Sequence, residues 1–131
     1  MRVFSLATGL MLGIAAPPAA RADDMRLPVP PRAQGLEVEV AAQVLAPGSD
    51  SGWHIHHGVE IAYVAQGAVE LRLANAPIRL LRAGQSAQLP RGMAHLWANG
   101  GEAPALIVST YLRDRQGPLV IPVPPPAKAG P

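Results

Sequence analysis

Apolar and polar residues alternate along much of the chain beyond residue 36. In the first such stretch, Leu36, Val38 and Val40 alternate with two glutamates. A period of two places these apolar side chains on one face of an extended backbone, as in a half-buried strand. The pattern therefore predicts a strand over residues 36–45.

Six more strands are predicted from short runs that are bounded by turn residues. They cover residues 61–65, 68–74, 78–81, 86–89, 94–98 and 105–112. Glycine, proline and asparagine separate these runs, so turn signals recur about every eight to twelve residues. Because no window beyond the N-terminal segment has a helical period, the sequence predicts an all-β sandwich or barrel.

The N-terminal segment has a different character. Arg2 precedes an uncharged apolar run over residues 3–16, and residues 20–22 read Ala-Arg-Ala, a small-x-small cleavage signal. This order is typical of a secretory signal peptide. The alternative is a membrane anchor, but the run is shorter than the roughly 20 residues that span a bilayer, and a proline pair follows it. We expect cleavage near Asp23 and a periplasmic or secreted protein.

The rest of the chain is long enough for one domain. After the signal peptide of residues 1–22, residues 23–35 are polar and proline-rich and predict an extended lead-in. The strands belong to a single β-barrel domain over residues 36–116. Residues 117–131 form a proline-rich C-terminal tail, whose apolar residues could pack on the barrel or on a second subunit.

Charge and cysteine content exclude several kinds of partner and site. The formal net charge is +2, but two of the eleven basic residues, Arg2 and Arg21, lie in the predicted signal peptide. Nine basic and nine acidic residues then remain, so nucleic acid is not expected as a partner. The absence of cysteine excludes disulfides, thiolate metal ligands and a cysteine nucleophile.

Two turn-rich stretches carry the residues that could do chemistry. His54 and His56 are two positions apart, which on a strand places both imidazoles on one face, about 7 Å apart. His57 then points the other way. Glu60 can return to the same point from the next strand, and His95 comes from a distant strand.

Three imidazole nitrogens and one carboxylate oxygen form a donor set that suits a divalent transition metal. Iron, manganese, nickel, copper and zinc all accept these donors, so the sequence leaves the identity of the metal open. Four protein ligands leave part of the coordination shell open for water, dioxygen or a chelating substrate. Each histidine alone could be structural, but as a set they predict metal binding.

The spacing of these residues resembles the two conserved motifs of the cupin superfamily. The first motif is Gly, five residues, His-x-His, three or four residues, Glu, six residues and Gly. The second is Gly, five residues, Pro-x-Gly, two residues, His, three residues and Asn. The chain meets every position, with Gly48, His54, His56, Glu60 and Gly67 in the first motif and Gly84, Pro90, Gly92, His95 and Asn99 in the second.

The resemblance implies a small double-stranded β-helix, or jelly-roll, cupin barrel with a metal inside it. The metal ligands that it implies are His54, His56, Glu60 and His95. By family habit it also implies a homodimer in which terminal strands pack across the interface. The expected partner is otherwise a small molecule, with no membrane association after signal cleavage.

Two functions are compatible with these predictions. Small cupin dioxygenases oxidise flavonoids, thiols or aromatic diols, so the resemblance implies a candidate metal-dependent dioxygenase for a small chelating substrate, with Glu60 as ligand and catalytic base. The alternative is a non-catalytic periplasmic protein that binds a metal or a small ligand, because so short a chain has no second domain or long lid to exclude water. A DNA-binding regulator is set aside because no helical DNA-binding segment is present.

Overall fold

The structure, a computed structural model, describes residues 25–28 and 34–127 of the 131-residue chain. The predicted signal peptide lies outside the described residues. The strands, in chain order, are β1 (Met25–Pro28), β2 (Leu36–Leu45), β3 (His54–Ile55), β4 (Gly58–Gln66), β5 (Ala68–Leu73), β6 (Arg79–Arg82), β7 (Ser86–Leu89), β8 (His95–Ala98), β9 (Ala105–Asp114) and β10 (Ile121–Pro122).

These strands form two antiparallel sheets, which confirms the predicted all-β fold. One sheet has the order β1-β2-β9-β4-β7, and the other has the order β10-β3-β8-β5-β6. Within the predicted lead-in, Met25–Pro28 pairs with β2 at the edge of the first sheet. The described part of the chain contains no helix with the length and hydropathy that crossing a bilayer requires.

The two sheets pack face to face over an aliphatic core to which both contribute. Trp97 is the one large aromatic side chain in this cluster, and the other members are small or branched. Such side chains interlock closely between two sheets and are removed from water. The cluster consists of Leu45, Ala62, Val64, Val69, Leu71, Leu81, Ala87, Leu89, Trp97, Ala105 and Ile107.

The inward faces of β4 and β9 change from apolar to polar along their length. In β4 the inward positions run from Val64 to Glu60, and in β9 they run from Ile107 to Tyr111. Glu60 lies opposite Tyr111 in the register. Since side chains two apart share a face, one end of the interior is apolar and the other end carries ionisable groups.

Strand β2 turns its glutamates, rather than its valines, towards the interior. Glu39 is only 1% exposed, whereas Val38 and Val40 are half-buried on the outer face. The carboxylate can be buried because Nε of Arg113 on β9 donates to its Oε2 over 2.7 Å. The alternation predicted this strand correctly, but it could not show that a distant cation reverses the usual choice of inner face.

The outer face of the first sheet is apolar and exposed. Large side chains project from three adjacent strands, and about half of each is accessible to solvent. We call this surface the outer apolar face and define it by Val44, Ile61, Tyr63 and Leu112.

The C-terminal tail packs on the second sheet. Its strand β10 pairs with β3, which places Pro122 opposite His54. The backbone N–H of Val123 donates to the carbonyl oxygen of Trp53 over 3.0 Å. The tail therefore runs beside the strand that carries the first predicted metal ligand.

Candidate metal centre

Short elements bring the predicted metal ligands to the polar end of the barrel. His54 lies in β3, opposite His95 at the start of β8. His56 lies between β3 and β4, and Glu60 lies in β4. All four side chains are buried, with at most 4% of their surface exposed. The structure thus places together all four residues that the sequence singled out.

The three imidazole rings face one another at short range. The ring centroids of His54 and His95 are 4.2 Å apart, and those of His54 and His56 are 4.9 Å apart. One ring nitrogen of each histidine lies within 4.8 Å of the corresponding atoms of the other two. This three-histidine group could hold a metal ion.

Backbone carbonyls determine which nitrogen of each imidazole carries the proton. In His54 and His95, Nδ1 contacts the carbonyl oxygen two residues earlier, over 2.8 and 2.9 Å. In His56, Nδ1 contacts the carbonyl oxygen of Leu119 over 2.6 Å. A carbonyl oxygen can only accept, so each Nδ1 donates, and each neutral ring keeps its lone pair on Nε2. Proteins commonly orient metal-binding histidines in this way.

Glu60 faces the same point as the imidazoles. Its Oε2 is 3.1 Å from Nε2 of His56 and 3.0 Å from Nε2 of His95. When both rings are neutral, none of these three atoms has a hydrogen-bond partner among the described residues. Lone pairs this close to a carboxylate repel it unless a positive charge lies between them. A second proton on an imidazole or a metal cation can supply that charge.

The other oxygen of Glu60 is held by two hydroxyl groups from β9. Oγ of Ser109 donates to Oε1 over 2.7 Å, and the hydroxyl of Tyr111 donates to it over 3.3 Å. Burial, and then the negative charge of Glu60, raise the pKa of Tyr111, so this hydroxyl stays protonated and able to donate. The carboxylate is thereby oriented with Oε2 towards the histidines.

Burial and hydrogen bonding set the ionisation of two donors. Burial lowers the pKa of His54 despite its hydrogen bond to the backbone, and the two other histidines lower it further. Burial acts to raise the pKa of Glu60, but the hydrogen bonds that protonated His56 and His95 can donate to Oε2, together with the one from Ser109 to Oε1, outweigh burial and hold the pKa well below its ordinary value. The neutral imidazole and the ionised carboxylate are the forms that coordinate a metal.

Sequence reasoning missed the groups that orient the donors. Ser109 and Tyr111 are polar residues two apart in a strand predicted over 105–112, and that spacing was the available signal. The part played by Leu119 has no sequence signal, because any residue supplies a backbone carbonyl. His57 is exposed, as predicted, but it lies in the bend between β3 and β4 rather than on a strand.

The family profile described as "Cupin domain" matches residues 41–111, which is more than half of the chain. The chain belongs to the cupin family. The matched range contains both motifs and all four donor residues.

Relatives of this cupin include plant proteins and solved structures. Auxin-binding protein ABP20 of Prunus persica is 35% identical over 86 residues, which cover 62% of this chain and 40% of that protein. A cupin 2 conserved barrel domain protein from Salinispora arenicola is 30% identical, with a TM-score of 0.53, over 70% of this chain and 75% of its own. A solved oxalate oxidase is 26% identical, with a TM-score of 0.56, over 68% of this chain and 46% of its own. The chain spans less than half the length of the curated relatives that it matches.

Proposed function

We propose that this cupin holds one divalent transition metal through His54, His56, His95 and Glu60. The observation that supports the proposal most strongly is the approach of Oε2 of Glu60 to two imidazole Nε2 atoms, at 3.0 and 3.1 Å. Because all four side chains are buried, solvent screens that contact only weakly. Iron, manganese, nickel, copper and zinc all suit these nitrogen and oxygen donors.

The residues of the chain position the donors and keep them in their binding forms. A metal held there would supply Lewis acidity and, if it is iron or manganese, one-electron chemistry with dioxygen. Glu60 is ionised, so its Oε2 can accept a proton from a substrate hydroxyl group when that oxygen leaves the metal. The apolar core on the other side of Glu60 excludes water from that direction.

The activity that we propose is dioxygen-dependent oxidation of a small chelating substrate, such as an enediol, a catechol or a short dicarboxylate. The similarity to a solved oxalate oxidase supports this choice, because oxalate is a small dicarboxylate that chelates metals. The donor set supports it as well, because four protein ligands leave part of the coordination shell open to a substrate.

The test loads the protein with each metal in turn and measures dioxygen consumption over oxalate, catechol and enediol substrates. We expect consumption with iron or manganese and a decrease of about 100-fold in Glu60→Gln, measured at saturating metal so that loss of the proton acceptor is separated from weaker metal binding. The matched control is Glu102→Gln, which removes an exposed carboxylate outside the site. No consumption with any of the five metals would contradict the proposed oxidation.

The second candidate function is non-catalytic binding of the metal or of a small ligand. It is favoured by the burial of the donors, because at most 4% of each is exposed and a substrate has little surface to approach. Elemental analysis of protein from its native compartment separates the two functions. Bound iron or manganese would favour the oxidation, whereas bound zinc would favour non-catalytic binding. In the non-catalytic case, Glu60→Gln should weaken metal retention and change nothing else.

We propose that residues 1–22 direct export and are then removed. The support is the order of charge, apolar run and small-residue cleavage signal in the sequence. N-terminal sequencing of protein recovered from the periplasm of a Gram-negative host should give a first residue near Asp23. Protein that stays in the cytoplasm with Met1 in place would contradict export.

We also propose that two copies associate through the outer apolar face. Ile61 and Tyr63 on β4 are 52% and 47% exposed there, and the outward positions of β2, which lies beyond β9 in the same sheet, carry no charge. An exposed apolar patch marks an interaction site, and an uncharged face is self-complementary under twofold symmetry.

Sedimentation analysis tests this association. The wild-type protein should sediment as a dimer at micromolar concentration, and Ile61→Arg should shift it to the monomer. The matched control is Leu80→Arg on the other sheet, because Leu80 is also 52% exposed. A monomeric wild type would contradict the proposal.

A further inference from the structure

The three histidines differ in where their Nδ1 atoms find an acceptor. His54 and His95 each use a carbonyl two residues earlier, within the same local turn. His56 uses the carbonyl of Leu119, which lies 63 residues later in the C-terminal tail. The orientation of this one imidazole therefore depends on whether the tail is in place.

The tail is attached to the barrel at a few points around Leu119. Before it, both terminal nitrogens of Arg113 donate to the carbonyl oxygen of Gly117, over 3.2 and 3.4 Å. After it, β10 pairs with β3 over two residues, and the N–H of Val123 donates to the carbonyl of Trp53. The contacts hold the tail along the outer edge of β3, which would otherwise pair only with β8 on its other side.

The composition of this segment limits how firmly it can be held. Residues 117–126 include five prolines, which have no N–H to donate. Val120 is 44% exposed, and Leu119 and Val123 are only half-buried. The N–H of Val123 is thus one of the few donors that can fix the tail, which makes docking sensitive to its removal.

We infer that the segment 117–123 positions His56, so that docking of the tail and binding of a metal stabilise each other. With Leu119 in place, Nδ1 of His56 is held as the donor and Nε2 faces the other three donor side chains. With the tail undocked, the ring is free to rotate or to move its proton to Nε2. Coupling of this kind is reciprocal, so a bound metal must also hold the tail more tightly. The inference rests on the proposed metal site.

The test compares Val123→Pro, which removes the N–H, with Val123→Ala, which keeps it, in the full chain. Zn²⁺ affinity is measured by competition with a chromophoric chelator. We expect Val123→Pro to bind Zn²⁺ roughly 10-fold more weakly than wild type, because losing an outer partner of a metal-binding histidine has effects of this size. Val123→Ala should stay within about twofold of wild type.

Hydrogen exchange in the wild type supplies the reciprocal measurement. Zn²⁺ should slow exchange at the Val123 amide, whose N–H bonds to Trp53. Equal Zn²⁺ affinity in wild type and Val123→Pro, or exchange at Val123 that Zn²⁺ leaves unchanged, would overturn the role of the tail alone. A wild-type protein that binds no Zn²⁺ and none of the other metals would instead overturn the proposed metal site and this role with it.

Discussion

The two oxygens of Glu60 have different roles at the scale of single residues. Oε1 accepts hydrogen bonds from Ser109 and Tyr111, while Oε2 faces the histidines. Holding one oxygen fixes the direction of the other, so the carboxylate loses little conformational freedom when it coordinates a metal. In the proposed metal site, the hydroxyl groups of β9 would therefore contribute to metal affinity without touching the metal.

Ser109→Ala should weaken Zn²⁺ binding roughly tenfold, because the shorter of the two hydrogen bonds to Oε1 is lost. The change is measured by calorimetric titration of the metal-free protein. Thr110→Ala is the matched control, since the next residue along β9 faces outwards opposite Ile61. Equal Zn²⁺ affinity in wild type and Ser109→Ala would show that the hydrogen bond from Ser109 to Oε1 does not affect metal binding.

Gly58 lies where β4 comes too close to β9 for a side chain. A Cβ there would lie 2.3 Å from the carbonyl oxygen of Leu112 and 2.5 Å from Cα of Arg113. Gly58→Ala should therefore lower the free energy of unfolding by about 3 kcal/mol, measured by urea denaturation. Gly100→Ala is the control, because its Cβ would approach only the carboxylate of Glu70. If both variants lost a similar free energy of unfolding, β4 and β9 could move apart to admit the Cβ at little cost, which would contradict the prediction.

At the scale of elements, β2 and β9 are joined by a buried charge cluster as well as by backbone pairing. Arg113, which is 5% exposed, donates from Nε to Glu39, and its Nη2 is 3.1 Å from Oε1 of Glu37. Removing one charged residue of such a cluster leaves the others buried without an opposite charge to offset their desolvation. The cluster therefore makes the two strands depend on each other.

Arg113→Met should lower the free energy of unfolding by about 3–5 kcal/mol, because Glu39 keeps its buried charge without the guanidinium. Arg115→Met, at an exposed position just beyond β9, should change it by less than about 0.5 kcal/mol. Adding Glu39→Leu to Arg113→Met should restore part of the lost free energy of unfolding, because it removes the buried carboxylate. Chemical denaturation of the variants measures all three effects. A double variant no more stable than Arg113→Met would contradict the explanation that the buried charge of Glu39 causes the loss.

The turn before β8 is tied to the end of β9 by an exposed ion pair. A hydrogen bond from Arg91 lowers the pKa of Asp114, so the pair stabilises the fold above the ordinary carboxyl pKa of 3.8. The contribution is lost as the pH falls through the lowered value. The melting temperature of wild type should thus exceed that of Asp114→Asn, which keeps the hydrogen bond from Arg91 to the carbonyl of His57, slightly at pH 7 and match it at strongly acidic pH. A difference that persists in acid would contradict this assignment.

The sequence predicted elements well where a period of two is sustained. The predicted bounds of β2 and β7 are the observed ones. β4 was predicted over 61–65 but spans Gly58–Gln66, because its first residues carry the site rather than an apolar alternation. β3 and β10 have two residues each, too few to show any period.

At the scale of the whole molecule, the barrel combines an apolar end that makes it stable with a polar end that carries the donors. The convergence of His54, His56, Glu60 and His95 could be predicted because motif spacing specifies these residues, while their role as metal ligands stays a prediction. The spacing of Ser109 and Tyr111 places them on one face of a strand, but their bonds to Glu60, like the contact of Leu119 with His56, exist only after distant strands have paired. The apolar residues of the tail predicted packing on the barrel or on a second subunit. The contact with His56 could not be predicted, because it is made by a backbone carbonyl, which every residue has.

The most direct measurement is a crystal structure of the metal-loaded protein, with diffraction data collected at the absorption edge of that metal. One anomalous peak is expected per chain, within coordination distance of Nε2 of His54, His56 and His95 and of Oε2 of Glu60. A peak at another position, or contact through Nδ1 of any of the three rings, would contradict the proposed metal site.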